Sequence, residues 1–386
     1  MTIAASAQYD AKPYDIAVRH LDRAVTPQRN GSHMPLLGAL RQLDDPTLLP
    51  LFTALLESDD PGIEVHCMLG MTELSPERRM RPDAVLALQA PEARSVVIER
   101  GVSDSLLDVP AMHKLLQSDA LTPLEQAWLL AKLVADKQAV DAAQLRALSI
   151  DKDIDIAGLA TWLLVELGDP SAVAAYEQRL AALTPAARNA HLREMFAAMR
   201  QYRLSGQVHW VTRRLQESDV DSEVVYDGLY ALLSVDTAAA IPIWRQHLGT
   251  NPSTSQSVRF ALLLLSADKP APLAEFDRLP AGEPLLDRLI ALGRAKAGGG
   301  DVAAALIQLI DIGHALTARF AIEQARKLPP ADAARVLAYV IRSVPGERRG
   351  EADRADRALT ATSALFEIDP DAVAALLAEA PEDSLW

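Results

Sequence analysis

The feature that most constrains this chain is that it repeats itself. Trp128-Leu129-Leu130 with Leu133 returns as Trp162-Leu163-Leu164 with Leu167, an offset of 34 residues. Leu232-Leu233-Ser234-Val235-Asp236 returns as Leu264-Leu265-Ser266-Ala267-Asp268, an offset of 32. A third echo marks turns: Leu55-Leu56-Glu57-Ser58-Asp59 and Leu115-Leu116-Gln117-Ser118-Asp119, with Leu215-Gln216-Glu217-Ser218-Asp219 as a looser copy. A period of this length makes each repeat one supersecondary unit. Such a unit cannot close a core alone, so it buries its apolar face by stacking on its neighbours.

The period is helical. Thr122-Pro123, Asp153, Thr184-Pro185, Asp221, Ser253, Glu283, Gly313 and Gly350 each precede a helical pattern, at gaps of about 30 to 37 residues. Asp, Ser and Thr accept from the first free N–H groups of a helix, and Pro at the first position lacks an N–H that would be unpaired anyway. Partner helices start near Pro110, Asp141, Pro170, Gly206, Thr237, Pro270, Asp301 and Pro330, so each unit reads as two helices of about 10 to 16 residues. Within one of them, Leu159, Trp162, Leu163 and Leu167 form a stripe at spacings of three and four. The composition agrees: 49% of residues are hydrophobic and only 5% aromatic. Leu and Ala carry much of the apolar content, where a β-sandwich needs Val, Ile, Thr and aromatics at period two. The expected class is all-α.

Two segments narrow this further. Leu164-Val165-Glu166-Leu167-Gly168-Asp169-Pro170-Ser171-Ala172-Val173 resembles the inter-repeat turn of HEAT repeats, especially the short bacterial kind also found in phycobilin-lyase-type proteins. Asp59-Asp60-Pro61-Gly62-Ile63-Glu64-Val65 resembles their intra-repeat turn; Val258-Arg259 keeps the Val-Arg pair of that family, and His66 replaces the Arg after Val65. The resemblance implies an α-solenoid of stacked antiparallel helix pairs, a HEAT-like superhelix, whose second helices line a concave binding face. In this chain those helices begin near 122, 154, 185, 222, 254 and 314. It also implies that Arg259 partners acidic turn residues. Residues 1–12 lack periodicity and are expected to be loose; 13–386 are expected to form one solenoid, with an exposed connection at 345–356.

Chemistry is harder to find. The formal net charge of −14 weighs against a nucleic-acid partner. Arg78-Arg79, Arg213-Arg214 and Arg348-Arg349 read as solvated helix ends. The single cysteine, Cys67, excludes an intramolecular disulfide and reads as an inert buried thiol. The N-terminus has no basic, apolar secretory pattern and the longest apolar run, Ala261 to Leu265, is too short to span a bilayer, so a cytoplasmic location and no membrane partner are expected. The eight histidines show no metal-ligand spacing; His191 and Glu194 make at most half a site. No metal and no cofactor are expected. No Gly-x-Ser-x-Gly elbow is present, and Gly298-Gly299-Gly300 lacks the Lys-Ser/Thr of a phosphate loop. The acids at Asp44-Asp45, Asp59-Asp60 and Asp151/Asp153/Asp155 read as helix caps. Trp128 with Trp162, and Trp210 with Trp244, fall 34 apart and read as packing between repeats.

The balance favours a non-catalytic protein–protein interaction scaffold. A partner with a basic patch suits the acidic chain. Tyr226 and Tyr230 stand one turn apart and present two rings on one face; Arg188, His191 and Tyr202 on the preceding second helix are the residues expected to extend that surface. The alternative is a small-ligand or cofactor-handling protein, lyase- or chaperone-like, which needs a deep pocket with an acid paired to Arg or His.

Overall fold

A computed structural model describes residues 37–379 apart from 39, 42, 44, 57, 59, 218, 219, 268, 299, 313, 314 and 344–350, and the backbone alone at 315–316, 351–359 and 377–379. The protein is all-helical, with no strand among the described residues. Its helices gather into two compact units, 1–207 and 208–386. The segment expected to be loose, 1–12, lies outside the described residues, as do 345–350 of the expected connection.

In the first unit the helices are α1 (Leu49–Leu55), α2 (Pro61–Glu73), α3 (Pro82–Leu86), α4 (Pro91–Ser103), α5 (Val109–Leu116), α6 (Pro123–Ala135), α7 (Ala142–Leu148), α8 (Ile154–Glu166), α9 (Val173–Ala182) and α10 (Pro185–Tyr202). The second holds α11 (Val208–Leu215), α12 (Ser222–Val235), α13 (Thr237–Leu248), α14 (Thr254–Ser266), α15 (Leu273–Phe276), α16 (Pro284–Gly298), α17 (Val302–Ile310), α18 (Ala315–Ala325), α19 (Pro330–Arg342), α20 (Glu351–Ile368) and α21 (Pro370–Glu379).

The helix starts follow the capping chemistry. Thr122 and Glu125 form a reciprocal capping box around Pro123; Asp60, Asp153, Thr184, Asp221, Ser253 and Asp301 each accept from a first-turn N–H of the next helix. The turn echo has a physical counterpart, since Ser58 Oγ accepts from Asp60 N and Ser118 Oγ from Ala120 N. Helix lengths alternate more than expected. α2, α4, α6 and α8 are each 13 residues, whereas α3 and α7 have five and seven and α15 only four, below the expected 10 to 16. Such short helices are not stable alone and hold by burying a few side chains, Val85 in α3 and Phe276 in α15.

Many helices pack on the helix one pair away as well as on a sequence neighbour. In the first unit α2 packs on α4, α4 on α6, α6 on α8 and α8 on α10, while α3 packs on α5. In the second, α12 packs on α14, α14 on α16, α17 on α19 and α19 on α21. Polar links cross the same interval. Arg41 pairs with Glu73, Arg94 with Glu125, Arg245 with Glu275, Arg259 with Glu223 and Arg335 with Asp301, at separations of 30 to 36 residues. Glu64 is buried on α2 and accepts from Gln89 N (3.0 Å) and Ala90 N (3.2 Å), capping the entry of α4, which has no side-chain cap of its own.

Trp162 and Trp244 are fully buried, and their echoes Trp128 and Trp210 are half-buried. Cys67 is buried, and burial pushes its thiol up to about 12, which leaves it protonated and inert.

Candidate functional site

The 18-residue α10 packs across α8 and reaches α6, and Gln201 near its end hydrogen-bonds Ser103 of α4 at 3.3 Å. Residues Ile156 to Leu164 of α8 are all buried, with α6, α7, α9 and α10 packed around the helix. Three of the expected surface residues lie on α10. Arg188 is half-buried. His191 and Tyr202 are buried, so they do not face a partner. Tyr202 packs where burial, with Glu99 nearby, raises its phenol.

His191 belongs to an internal chain of hydrogen bonds. Its Nε2 meets Tyr176 Oη at 2.7 Å and its Nδ1 meets Asp155 Oδ1 at 2.5 Å, joining α8, α9 and α10. Asp155 is therefore more than a helix cap. Glycine makes room for the ring: a Cβ at Gly158 would stand 2.9 Å from His191 Cε1 and 3.0 Å from Met195 Sδ. Glu194, the other half of the His191 pair, is exposed. Among the described residues no group of three or more His, Cys, Asp or Glu side chains is placed to hold a metal ion.

In the second unit α12 and α14 pack side by side. Asp221 caps α12 through Glu223 N (2.8 Å) and Ser253 caps α14 through Gln256 N (3.2 Å), so both first turns end beside one another at a cleft of about 640 Å³. The spacing of α12 buries Val224, Val225 and Leu229 and brings Tyr226 and Tyr230 out half-buried on the other face. Val220, Val225, Tyr226 and Phe260 give the cleft its apolar surface. Its wall is braced from behind: Trp244 Nε1 donates to Phe260 O (3.1 Å), Gln256 Nε2 donates to His247 O (2.9 Å), and His247 Nε2 lies 2.8 Å from Leu215 O.

Arg259 is the centre of the cleft's electrostatics. Its Nη1 and Nη2 each donate to Glu223 at 2.8 Å, a bidentate fork to the first turn of α12. Its guanidinium carbon stands 4.5 Å over the Tyr226 ring. The hydrogen bonds that Arg259 donates to Glu223 raise the guanidinium's already high pKa, and burial raises the Tyr226 phenol against the opposing pull of Arg259. The expected role of Arg259 as partner of an acidic turn residue is what the geometry shows.

The five expected surface residues thus divide: Tyr226 is at the cleft with Tyr230 one turn along, and Arg188, His191 and Tyr202 are on α10 in the other unit. Sequence reasoning missed His247 and Phe260, which carry no motif. It also missed Asp155 and Tyr176 as partners of His191, although Asp155 precedes His191 by 36 residues, close to one repeat. Comparison with family models, curated proteins and solved structures returns no match.

Proposed function

We propose that the protein is a cytoplasmic, HEAT-like α-solenoid scaffold that binds another protein through the second-helix face of its second unit. The observation that carries this is the cleft at the starts of α12 and α14, with Tyr226 and Arg259 in its lining and Tyr230 one turn along, all three half-buried. Tyr and Arg supply much of the energy at protein interfaces, Tyr through rigid contact area with a polar tip and Arg through its planar fork of donors. The one-pair-away packing and the ion pairs at 30 to 36 residues support the stacked-repeat reading. The charge of −14 supports a partner whose surroundings are basic. Among the described residues no helix is long and apolar enough to cross a membrane, and no membrane role is proposed.

The test is affinity capture from an extract of the cells that make the protein, at low and high salt. We expect a specific protein on the wild type, weakened by salt, and lost on a Tyr226→Ala/Tyr230→Ala double variant. Capture unchanged by the double variant contradicts the assignment of the face. A second reading, small-ligand handling, draws on the cleft's size, inside the roughly 300–1,000 Å³ of ligand sites, and on its Arg259–Glu223 pair with His247 nearby. It takes over if no protein is captured and a small molecule travels with the chain.

A further inference from the structure

We propose that a separate cleft of the second unit, between the start of α16 and the end of α17, binds a free amino acid with a basic side chain, its carboxylate at Arg288 and its two cationic groups at Asp287 and Asp311. This is independent of the scaffold reading and of the cleft at α12 and α14.

The cleft holds about 500 Å³ and is lined by Pro284, Asp287, Arg288, Gln308, Asp311 and Ile312. Chain order brings these together. α16 ends at Gly298, α17 begins at Val302, and the two pack on each other as a hairpin. The early residues of α16 therefore stand beside the last turn of α17 and Asp311, which follows it.

Each charged group is held in place by a neutral partner. Gly282 N donates to Asp287 Oδ1 at 2.9 Å, Arg288 Nη1 donates to Gln308 Oε1 at 2.7 Å, and the Tyr339 hydroxyl of α19 donates to Asp311 Oδ1. That last bond raises the Tyr339 phenol, so the hydroxyl stays a donor through the neutral range. Among the described residues none of the three charged groups makes an ion pair. This sets Arg288 apart from the exposed Arg79, Arg146, Arg294 and Arg335, each of which faces a carboxylate. Its Nε–Nη2 edge remains for a two-point fork to a ligand carboxylate, and Asp287 and Asp311 each keep a second oxygen.

The charges select the ligand. The cleft holds two negative charges and one positive. An amino acid with a basic side chain carries two positive and one negative, so every charge meets its opposite. A neutral amino acid leaves one carboxylate unmatched, and a diamine leaves Arg288 without an anion. The volume lies within the roughly 300–1,000 Å³ of ligand sites, and Pro284 and Ile312 offer apolar contact to a methylene stem. All three charged groups are exposed, so each pair contributes little and binding in the millimolar range is expected.

The test is ligand-observed NMR titration of L-arginine with the full-length protein at low salt. Saturable binding is expected. Agmatine lacks the carboxylate, citrulline the side-chain charge and N-acetylarginine the α-ammonium; each is expected to bind about threefold to fivefold more weakly, the loss of one exposed pair. Net charge alone would rank agmatine above arginine, so the opposite order reports the match at Arg288. Arg288→Gln should bind arginine no better than agmatine, and Asp311→Asn should weaken arginine by the same factor as the analogues. The analogue series uses wild type only and decides the matter if a variant misfolds. The proposal is overturned if arginine shows no saturable binding, if any of the three analogues binds as tightly as arginine, or if folded variants bind it like wild type.

Discussion

At the scale of single residues, the decisive positions are buried polar groups whose partners come from the neighbouring repeat. His191 is satisfied on both ring nitrogens by Tyr176 and Asp155, and Gly158 leaves space for its ring. Removing the imidazole strands the buried Tyr176 hydroxyl and opens a void. His191→Ala is expected to lower unfolding stability by about 2–4 kcal/mol, the sum of a lost hydrogen bond and a small cavity. Gly158→Ala, which only adds a methyl against that ring, is expected to cost about 1–3 kcal/mol through overpacking. Urea unfolding midpoints check both; midpoints equal to wild type would show that the network is not formed. Lys296 is a second case. Its ammonium donates to Leu265 O (2.7 Å) and Gln324 Oε1 (2.9 Å), with no carboxylate to balance it among the described residues, and burial, with Lys327 nearby, lowers it to about 8 from 10.5. Between pH 8 and 10.5 the unfolded chain then holds the proton that the folded chain has released, so this group makes stability rise with pH across that window. Lys296→Met removes the contribution. The stability difference between wild type and Lys296→Met should shift in favour of wild type from pH 8 to 10, and a difference flat in pH contradicts the assignment.

At the scale of elements, the capping residues told most of the story in advance. Thr122-Pro123, Asp153, Thr184-Pro185, Asp221, Ser253 and Asp301 mark helix starts in the sequence and in the structure, because a cap is a local interaction written within four residues. Lengths of the partner helices were not legible. Whether α15 runs four residues or twelve depends on how many side chains neighbouring helices will bury, which no local pattern records. The same holds for buried acids. Glu125 looks like an ordinary capping-box residue, yet its carboxylate is fully buried and also accepts from Arg94 Nε (3.2 Å) and Ser95 Oγ (2.7 Å) of α4. Arg94→Met leaves that carboxylate without its cation. The expected loss is about 3 kcal/mol, in the range for breaking one partner from a buried pair, read as a drop in urea midpoint with an unchanged slope. A loss under about 0.5 kcal/mol would place the pair among ordinary surface contacts.

At the scale of the whole molecule, the sequence announced repeats, and the structure shows all-helical units in which many helices, such as α2, α4, α6, α8, α12 and α14, meet the helix one pair away. What it did not announce is the difference between the units. α10 is 18 residues long and packs on α8, and its His191 and Tyr202 are buried where the repeat analogy placed them on a surface. Its start at Thr184-Pro185 was legible; its 18 residues exceed the expected 10 to 16, and the direction in which it packs depends on contacts such as that from Gln201 to Ser103. Tyr226 and Tyr230 escaped this fate, and with Arg259 they became the exposed face on which the functional account rests. The most direct check of that account is amide hydrogen exchange on the protein alone and on the complex captured from extract. The account predicts that added protection concentrates in the first turns of α12 and α14, around Tyr226 and Arg259. Protection confined to the first unit, or none at all in a complex that contains a partner protein, would contradict it.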